Sequence, residues 1–248
     1  MNRFRIVDAP NAALAGVACT ESDCAAAYSF PVTNCFGPTS GAIQRLAFDG
    51  LPLGPPVSRG LVDDIVGGPR DYMVISHYWD ICRTVFSGTI LRDGKDRNAY
   101  GGGRSTGAIA APKNDGEWML VVLPMSPYYR ENLFALRFAA AGGLLSDTAL
   151  VTGASPTAIA WDGKVWMIAM GWNGVRAVRL DAKGRPLDPP EGVPIDELDD
   201  EAATSIASAG GGRSVFAIQR RTSEPQYGGA TRVFLRWVDD AGPAVNRR

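Results

Sequence analysis

The sequence predicts an all-β fold of repeated four-stranded antiparallel units, on three observations. No stretch of any length carries the apolar period of a helix, whereas short apolar runs bounded by Gly, Asp and Asn recur throughout. First hairpin turns fall near Asp23, Arg70, Gly116, Gly163 and Gly212, a spacing of about 47 residues. Five such copies take up nearly all of the 248 residues. Four-stranded antiparallel units at this period are the signature of a β-propeller, so the expected fold is a five-bladed propeller in one domain. Its blades are expected at approximately 9–58, 59–104, 105–152, 153–200 and 201–248, with 1–8 completing the last.

The fourth copy is the clearest. A small-residue strand, Thr157-Ala-Ile-Ala-Trp161, meets an Asp162-Gly163 turn, and the apolar strand Val165-Trp-Met-Ile-Ala-Met170 follows. Trp172-Asn-Gly174 turns the chain into Val175-Arg-Ala-Val-Arg-Leu180, and Lys183-Gly184 turns it again towards Pro186-Leu187. Asp-Gly and Asn-Gly supply the positive φ that tight hairpin turns need.

The other copies follow this plan in order. First strands are poor in bulk: Gly16–Cys19, Asp64–Gly67, Ala108–Ala111, Thr157–Ala160 and Thr204–Ala207. Small side chains there suit a strand crowded near a common axis. Second strands are apolar runs (Ala25–Phe30, Tyr72–Ser76, Trp118–Val122, Trp166–Met170 and Val215–Gln219), as expected of strands buried on both faces. Third strands carry Arg45, Arg137, Arg179 and Arg236, which read as a solvated strand face. The second copy is irregular between Ile81 and Gly103, and the last has a short outer strand after Gly242. The segment Arg3-Phe-Arg-Ile-Val-Asp8 is expected to complete the last blade and close the ring, which removes an exposed sheet edge.

The pattern of small strand, Asp-Gly, aromatic-apolar strand and Arg-apolar-Asp-x-x-Gly-x-Pro-Leu resembles the propeller-type repeats of secreted bacterial surface proteins and lipoproteins. The resemblance implies a secreted or cell-surface protein and supplies no catalytic residues. WD40 repeats fit less well, since Trp237-Val-Asp239 is only a fragment of their signature. The sialidase Ser-x-Asp-x-Gly-x-Thr-Trp box and the Asp-rich calcium loops of integrin-type blades are not in the sequence.

Composition excludes several classes. Charged residues are 21% and the formal net charge is −1, with no sustained basic run of the kind a nucleic-acid surface needs. No apolar run approaches the length of a membrane helix, so no membrane span is expected. No apolar stretch follows Met1–Arg5, so export would require a leader outside this sequence. Cys19 and Cys24 bracket the first hairpin turn and are expected to face each other as a disulfide. Cys35 and Cys82 fall on neighbouring copies and form a second candidate pair. With His77 the single histidine, a zinc site is disfavoured, and neither metal nor cofactor is expected. Disulfides imply an oxidising compartment, hence extracellular, cell-surface or periplasmic placement.

Candidate chemistry concentrates in the connections between second and third strands: Pro31–Gly41, His77–Arg83, Pro124–Glu131, Gly171–Gly174 and Arg220–Gly229. Each holds an aromatic residue. The candidate ligand face is Trp79, Tyr128, Tyr129, Trp172 and Tyr227, with Arg130 as a polar anchor. Aromatic rings with polar handles suit a glycan or a protein partner; the plainer alternative is that they cap the sheet rims. No catalytic residue is assigned. A nucleophile–histidine pair would have to use His77, which reads as a rim residue. A glycoside hydrolase, the enzymatic alternative, would need two carboxylates, and Asp63 and Asp64 are the candidates. The clusters Tyr100–Arg104 and Gly210–Arg213 lack the strand–loop–helix context of a phosphate loop and read as connections; so does the acidic run Asp196–Glu201. A subunit role in a larger surface assembly is the remaining alternative.

Overall fold

The computed structural model describes residues 12–30, 40–80, 83–92, 95–100, 105–124, 132–152, 154–171, 174–196, 201–221, 231–239 and 242–243. They form five antiparallel sheets of four strands each, every sheet in sequence order. The first holds β1 (Ala13–Cys19), β2 (Cys24–Ser29), β3 (Gly41–Leu46) and β4 (Val57–Arg59), and the second β5 (Leu61–Gly67), β6 (Tyr72–Asp80), β7 (Arg83–Arg92) and β8 (Lys95–Tyr100). The third holds β9 (Ser105–Pro112), β10 (Trp118–Pro124), β11 (Asn132–Phe138) and β12 (Leu144–Thr152). The fourth holds β13 (Ser155–Trp161), β14 (Val165–Gly171), β15 (Val175–Asp181) and β16 (Val193–Asp196). The fifth holds β17 (Glu201–Gly210), β18 (Arg213–Arg221), β19 (Thr231–Asp239) and the two-residue β20 (Gly242–Pro243). Among the described residues no helix is long and apolar enough to cross a membrane.

The chain divides into two compact units, Met1–Leu120 with Phe138–Leu145, and Val121–Arg137 with Ser146–Arg248. In the first, Ala25, Ala27 and Ile43 pack on Val62, Ile65, Tyr72, Val74 and Leu91, joining the first and second sheets. Gly67 fits close against β1: a Cβ there would run into the Cys19 carbonyl. In the second unit, Met167, Ala169, Val175 and Ala177 pack on Phe216, Ile218 and Val238. These are the small first-strand and apolar second-strand residues of the repeat. The second strands are buried on both faces, Trp118, Trp166 and Phe216 completely.

The Asp162-Gly163 turn forms as expected. Buried Asp162 accepts the N–H groups of Lys164 and Val165 at 2.8 Å each, and Gly163 takes φ +98°. The first strands share a feature that the sequence does not announce. In β1, β5, β13 and β17 the pairing slips by one residue, so that Ala15, Asp63, Thr157 and Ala202 are bulged.

Two expectations change. His77–Asp80 is strand rather than loop: β6 continues to Asp80 and pairs with β7, His77 opposite Phe86, Tyr78 opposite Val85, Trp79 opposite Thr84 and Asp80 opposite Arg83. Aromatic and β-branched residues facing one another extend the ladder past the predicted strand end. Nor do three of the four third-strand arginines form a solvated face, whereas Arg236, its side chain 47% exposed, is solvated as expected. Arg45 pairs with Asp23 and Arg179 with Asp188, carboxylates only 3% and 4% exposed. Arg137 donates to the Ala182 carbonyl at 2.8 Å, and Arg236 lies 4.0 Å from Asp196. These side chains bracket strand edges and turns.

Candidate functional site

The first hairpin turn is closed by the disulfide Cys19–Cys24, as its position across the turn predicts. The two cysteines are direct register partners, and Gly67–Tyr72 and Trp161–Trp166 hold the same place in their sheets, each pair flanking four turn residues. Cys35 and Cys82 lie outside the described residues, as do Tyr128, Tyr129, Arg130, Trp172 and Tyr227. The Trp79 backbone stands in β6, two positions before the start of the connection to β7.

Asp63 and Asp64, the carboxylates of the enzymatic alternative, occupy the bulge of β5. Asp63 is exposed. Asp64 is half-buried and accepts the Ile65 N–H at 2.8 Å. Burial pushes its carboxyl above the ordinary range; the Ile65 hydrogen bond opposes this and the charge of Asp63 adds to it.

The first unit's most developed polar constellation lies at the hairpin-turn end of its sheets, away from the second-to-third connections. Asp23, 2% exposed, precedes β2. It accepts the Thr20 hydroxyl at 2.8 Å, the Tyr72 hydroxyl at 2.9 Å and the Arg45 guanidinium at 2.6 Å. Burial alone would raise its carboxyl. The hydrogen bonds from Thr20, Tyr72 and Arg45, with the charge of Arg45, outweigh that and hold it below the usual carboxylate range. The network therefore locks the first sheet to the first residue of β6 in the second.

The next position along the repeat is built differently. The turn between β5 and β6 matches that between β1 and β2, the Gly68 N–H reaching the Asp71 carbonyl as the Thr20 N–H reaches that of Asp23. Asp71 thus takes the place of Asp23, Gly68 that of Thr20, and Trp118, which begins β10, that of Tyr72. Arg45 stands opposite Ala25, whereas Ile90 stands opposite Met73 at the corresponding place. A glycine and an isoleucine therefore stand at the positions that carry the hydroxyl and the guanidinium one repeat earlier.

A cleft of about 290 Å³ lies here, lined by Glu21, Pro69, Arg70, Asp71, Asn114, Asp115, Gly116, Trp118 and Ala140. Asp71 is 4% exposed and Trp118 fully buried, and the Trp118 Nε1–H has no hydrogen-bond partner. The six-membered-ring edge of the indole sits under the turn: a Cβ on Gly68 would lie 2.8 Å from its Cζ2. At the rim the Lys113 ammonium donates to Asp115 at 2.6 Å and to Glu117 at 3.3 Å. Burial would raise Asp115, but its bonds from Lys113 and from the Glu117 N–H hold it low.

Sequence reasoning missed this cleft because it looked for function in the connections at the other strand ends. The available signal was the density of charge in two successive first turns, Pro69-Arg-Asp71 and Lys113-Asn-Asp-Gly-Glu117. Among the described residues no group of three or more His, Cys, Asp or Glu side chains is placed to hold a metal ion.

No protein-family model matches the chain, and no curated protein matches it in sequence. Solved structures do resemble it in fold. A protein of unknown function from Bacteroides caccae is 14% identical with a TM-score of 0.50, the match covering 94% of this chain and 80% of that one. Prolyl oligopeptidase B from Galerina marginata is 13% identical with a TM-score of 0.57, the match covering 96% of this chain and 36% of that one. The β-propeller domain of the Trilobed protease from Pyrococcus furiosus is 9% identical with a TM-score of 0.41, over 91% of this chain and 83% of that one. At these identities the likeness concerns fold alone: the chain is all-β, made of four-stranded antiparallel sheets, and propeller-like.

Proposed function

We propose that this chain is a non-catalytic, exported five-bladed β-propeller, one domain closed into a ring by its N-terminal strand. In this reading it binds a glycan or a surface-protein partner through aromatic residues at one end of its sheets. The supporting observation is the identical strand order of all five sheets. It gives every sheet a second-to-third connection at the same end of its second strand. Tyr128, Tyr129 and Arg130 fall between β10 and β11, Trp172 between β14 and β15, Tyr227 between β18 and β19, and Trp79 near the end of β6. Export is supported by the Cys19–Cys24 disulfide, which persists in oxidising compartments. A glycan array probed with the non-reduced protein and with Trp172→Ala and Trp79→Ala tests the reading. A sugar or surface-protein partner lost in these folded variants supports it, and undiminished binding in both ends it.

One observation favours the assembly-subunit reading. Val233, Leu235 and Trp237 alternate along β19 and are 65%, 60% and 55% exposed, an apolar stripe on one strand face. If this stripe is a subunit contact, Leu235→Glu shifts the mass measured by light scattering to the monomer. A wild-type protein already monomeric excludes it.

A further inference from the structure

We propose that the Cys19–Cys24 bridge is a site of reversible modification, at which a small thiol exchanges with the disulfide by attacking the Cys19 sulfur while the sheet stays folded. It is separate from the aromatic connections of the proposed ligand face and does not depend on that reading.

The bridge stands on an open face of the first sheet. Side chains alternate across a strand, and Ala18 and Ala25 pack into the core that joins the first and second sheets. Val17 and Cys19 therefore point to the other face of β1, where Val17 is 57% exposed and Cys19 is exposed too. Cys24 lies on that same face as the register partner of Cys19. It is only partly exposed, so Cys19 presents the sulfur open to attack.

The fold does not need the bridge to close this turn. Gly67–Tyr72 and Trp161–Trp166 hold the same place without sulfur. All three turns share one backbone hydrogen bond: Thr20 N–H to the Asp23 carbonyl at 2.8 Å, Gly68 to Asp71 at 2.8 Å and Asp162 to Val165 at 3.1 Å. Thr20, Tyr72 and Arg45 also hold Asp23, the residue before Cys24, whether the bridge is closed or open. The cysteines are only five positions apart, so the link constrains little chain. An exposed disulfide whose opening releases so little structure is of the labile rather than the structural kind.

The exchange balances in two steps. A small thiol gives up its proton, and its thiolate bonds to the Cys19 sulfur as the Cys19–Cys24 bond breaks; the electron pair leaves on the Cys24 sulfur, which takes up a proton. A second thiolate attacks the small-molecule sulfur of the mixed disulfide, and Cys19 leaves as the second protein thiol. Two small thiols are oxidised to their disulfide and one protein disulfide is reduced.

The test treats the full, non-reduced chain with excess reduced glutathione in native buffer, traps free thiols with N-ethylmaleimide and maps the labelled peptides by mass. The expected result is labelling of both Cys19 and Cys24, with the tryptophan fluorescence of the folded protein retained. The rate doubles when the thiol is doubled. It also rises about tenfold per pH unit on the acid side of the thiol's pKa, because the thiolate is the nucleophile. Oxidised glutathione adds to Cys19 in the Cys24→Ser variant faster than to Cys24 in the Cys19→Ser variant. A rate independent of thiol concentration, the mark of attack only after unfolding, overturns the proposal. So does a bridge that opens only in denaturing urea, loss of the folded fluorescence on reduction, or addition at Cys24 as fast as at Cys19.

Discussion

The hydroxyl of Tyr72 donates to both the carbonyl and the carboxylate of Asp23, at 2.9 Å each, from 49 residues further along the chain. One side chain thereby satisfies two buried acceptors and fixes the second sheet to the turn of the first. Hydrogen bonds to a charged partner are worth about 1.5–3 kcal/mol, so Tyr72→Phe should lower unfolding stability by about 2 kcal/mol in urea, with an unchanged m-value.

The same network carries a pH signature. Asp23 is held below its usual range in the fold, so its contribution is complete above the unfolded carboxylate pKa of 3.8 and is lost as pH falls through the depressed folded value. Tyr72 is shifted upward, chiefly by burial and by its bond to Asp23, so its contribution is complete below 10.0 and is lost as pH rises beyond that. Urea midpoints measured below pH 4 should fall less steeply in Asp23→Asn than in the wild type; an unchanged slope would remove Asp23 from the acid transition.

Arg179 and Asp188 form the corresponding bracket in the fourth sheet. The carboxylate receives the Arg179 backbone N–H at 2.8 Å and two guanidinium nitrogens, at 2.9 and 2.5 Å. Arg179→Ala leaves a charge 4% exposed without its counterion, an expected loss of about 3–5 kcal/mol. Arg179→Lys keeps the charge but not the fork, so its loss should be intermediate, and the double variant Arg179→Met with Asp188→Leu should recover part of it. Equal losses in Arg179→Ala and the double variant would mean that the pair is not coupled.

Gly67 offers a test of sheet-to-sheet approach. The Cys19 carbonyl occupies the place of its missing Cβ, and backbone cannot move aside as a side-chain tip can. Gly67→Ala should therefore cost about 1–3 kcal/mol or more. Gly54→Ala is a poor control despite its open surroundings, because that glycine has φ +103°; Gly171→Ala, with only ordinary contact to Thr157, is the better one.

Reduction of the Cys19–Cys24 bridge should lower stability by about 2 kcal/mol, the small value that chain entropy assigns to so short a loop. A loss several times larger would mean that the bridge maintains the Thr20–Asp23 network, which the Tyr72→Phe variant would then fail to weaken further.

Much of this fold was legible because turn chemistry is local. Asp162-Gly163 announces itself in two residues, and the bulk-poor first strands and apolar second strands follow from side-chain size alone. What could not be read depends on residues distant in sequence. Arg45 looks like a surface residue until Asp23 is placed opposite it, and Arg179 until Asp188 folds back. His77–Trp79 look like a rim because nothing in them shows that Thr84, Val85 and Phe86 will pair with them. The cleft was least legible of all, since its lining comes from separated stretches of the chain, and the positions of Thr20, Arg45 and Tyr72 are taken there by Gly68, Ile90 and Trp118.

Those substitutions bear on how such a chain can be altered. The two joints described in the first unit have different keys: a phenol bonded to a carboxylate at one, an indole tucked under a glycine turn at the next. Copies that look alike in outline are therefore not spare parts. A sheet moved to another place in the order would bring a key cut for a different lock, and an engineered extra copy would have to be fitted on two sides at once. Redesign of this scaffold by permutation or lengthening has to begin with the turns, where neighbours recognise one another.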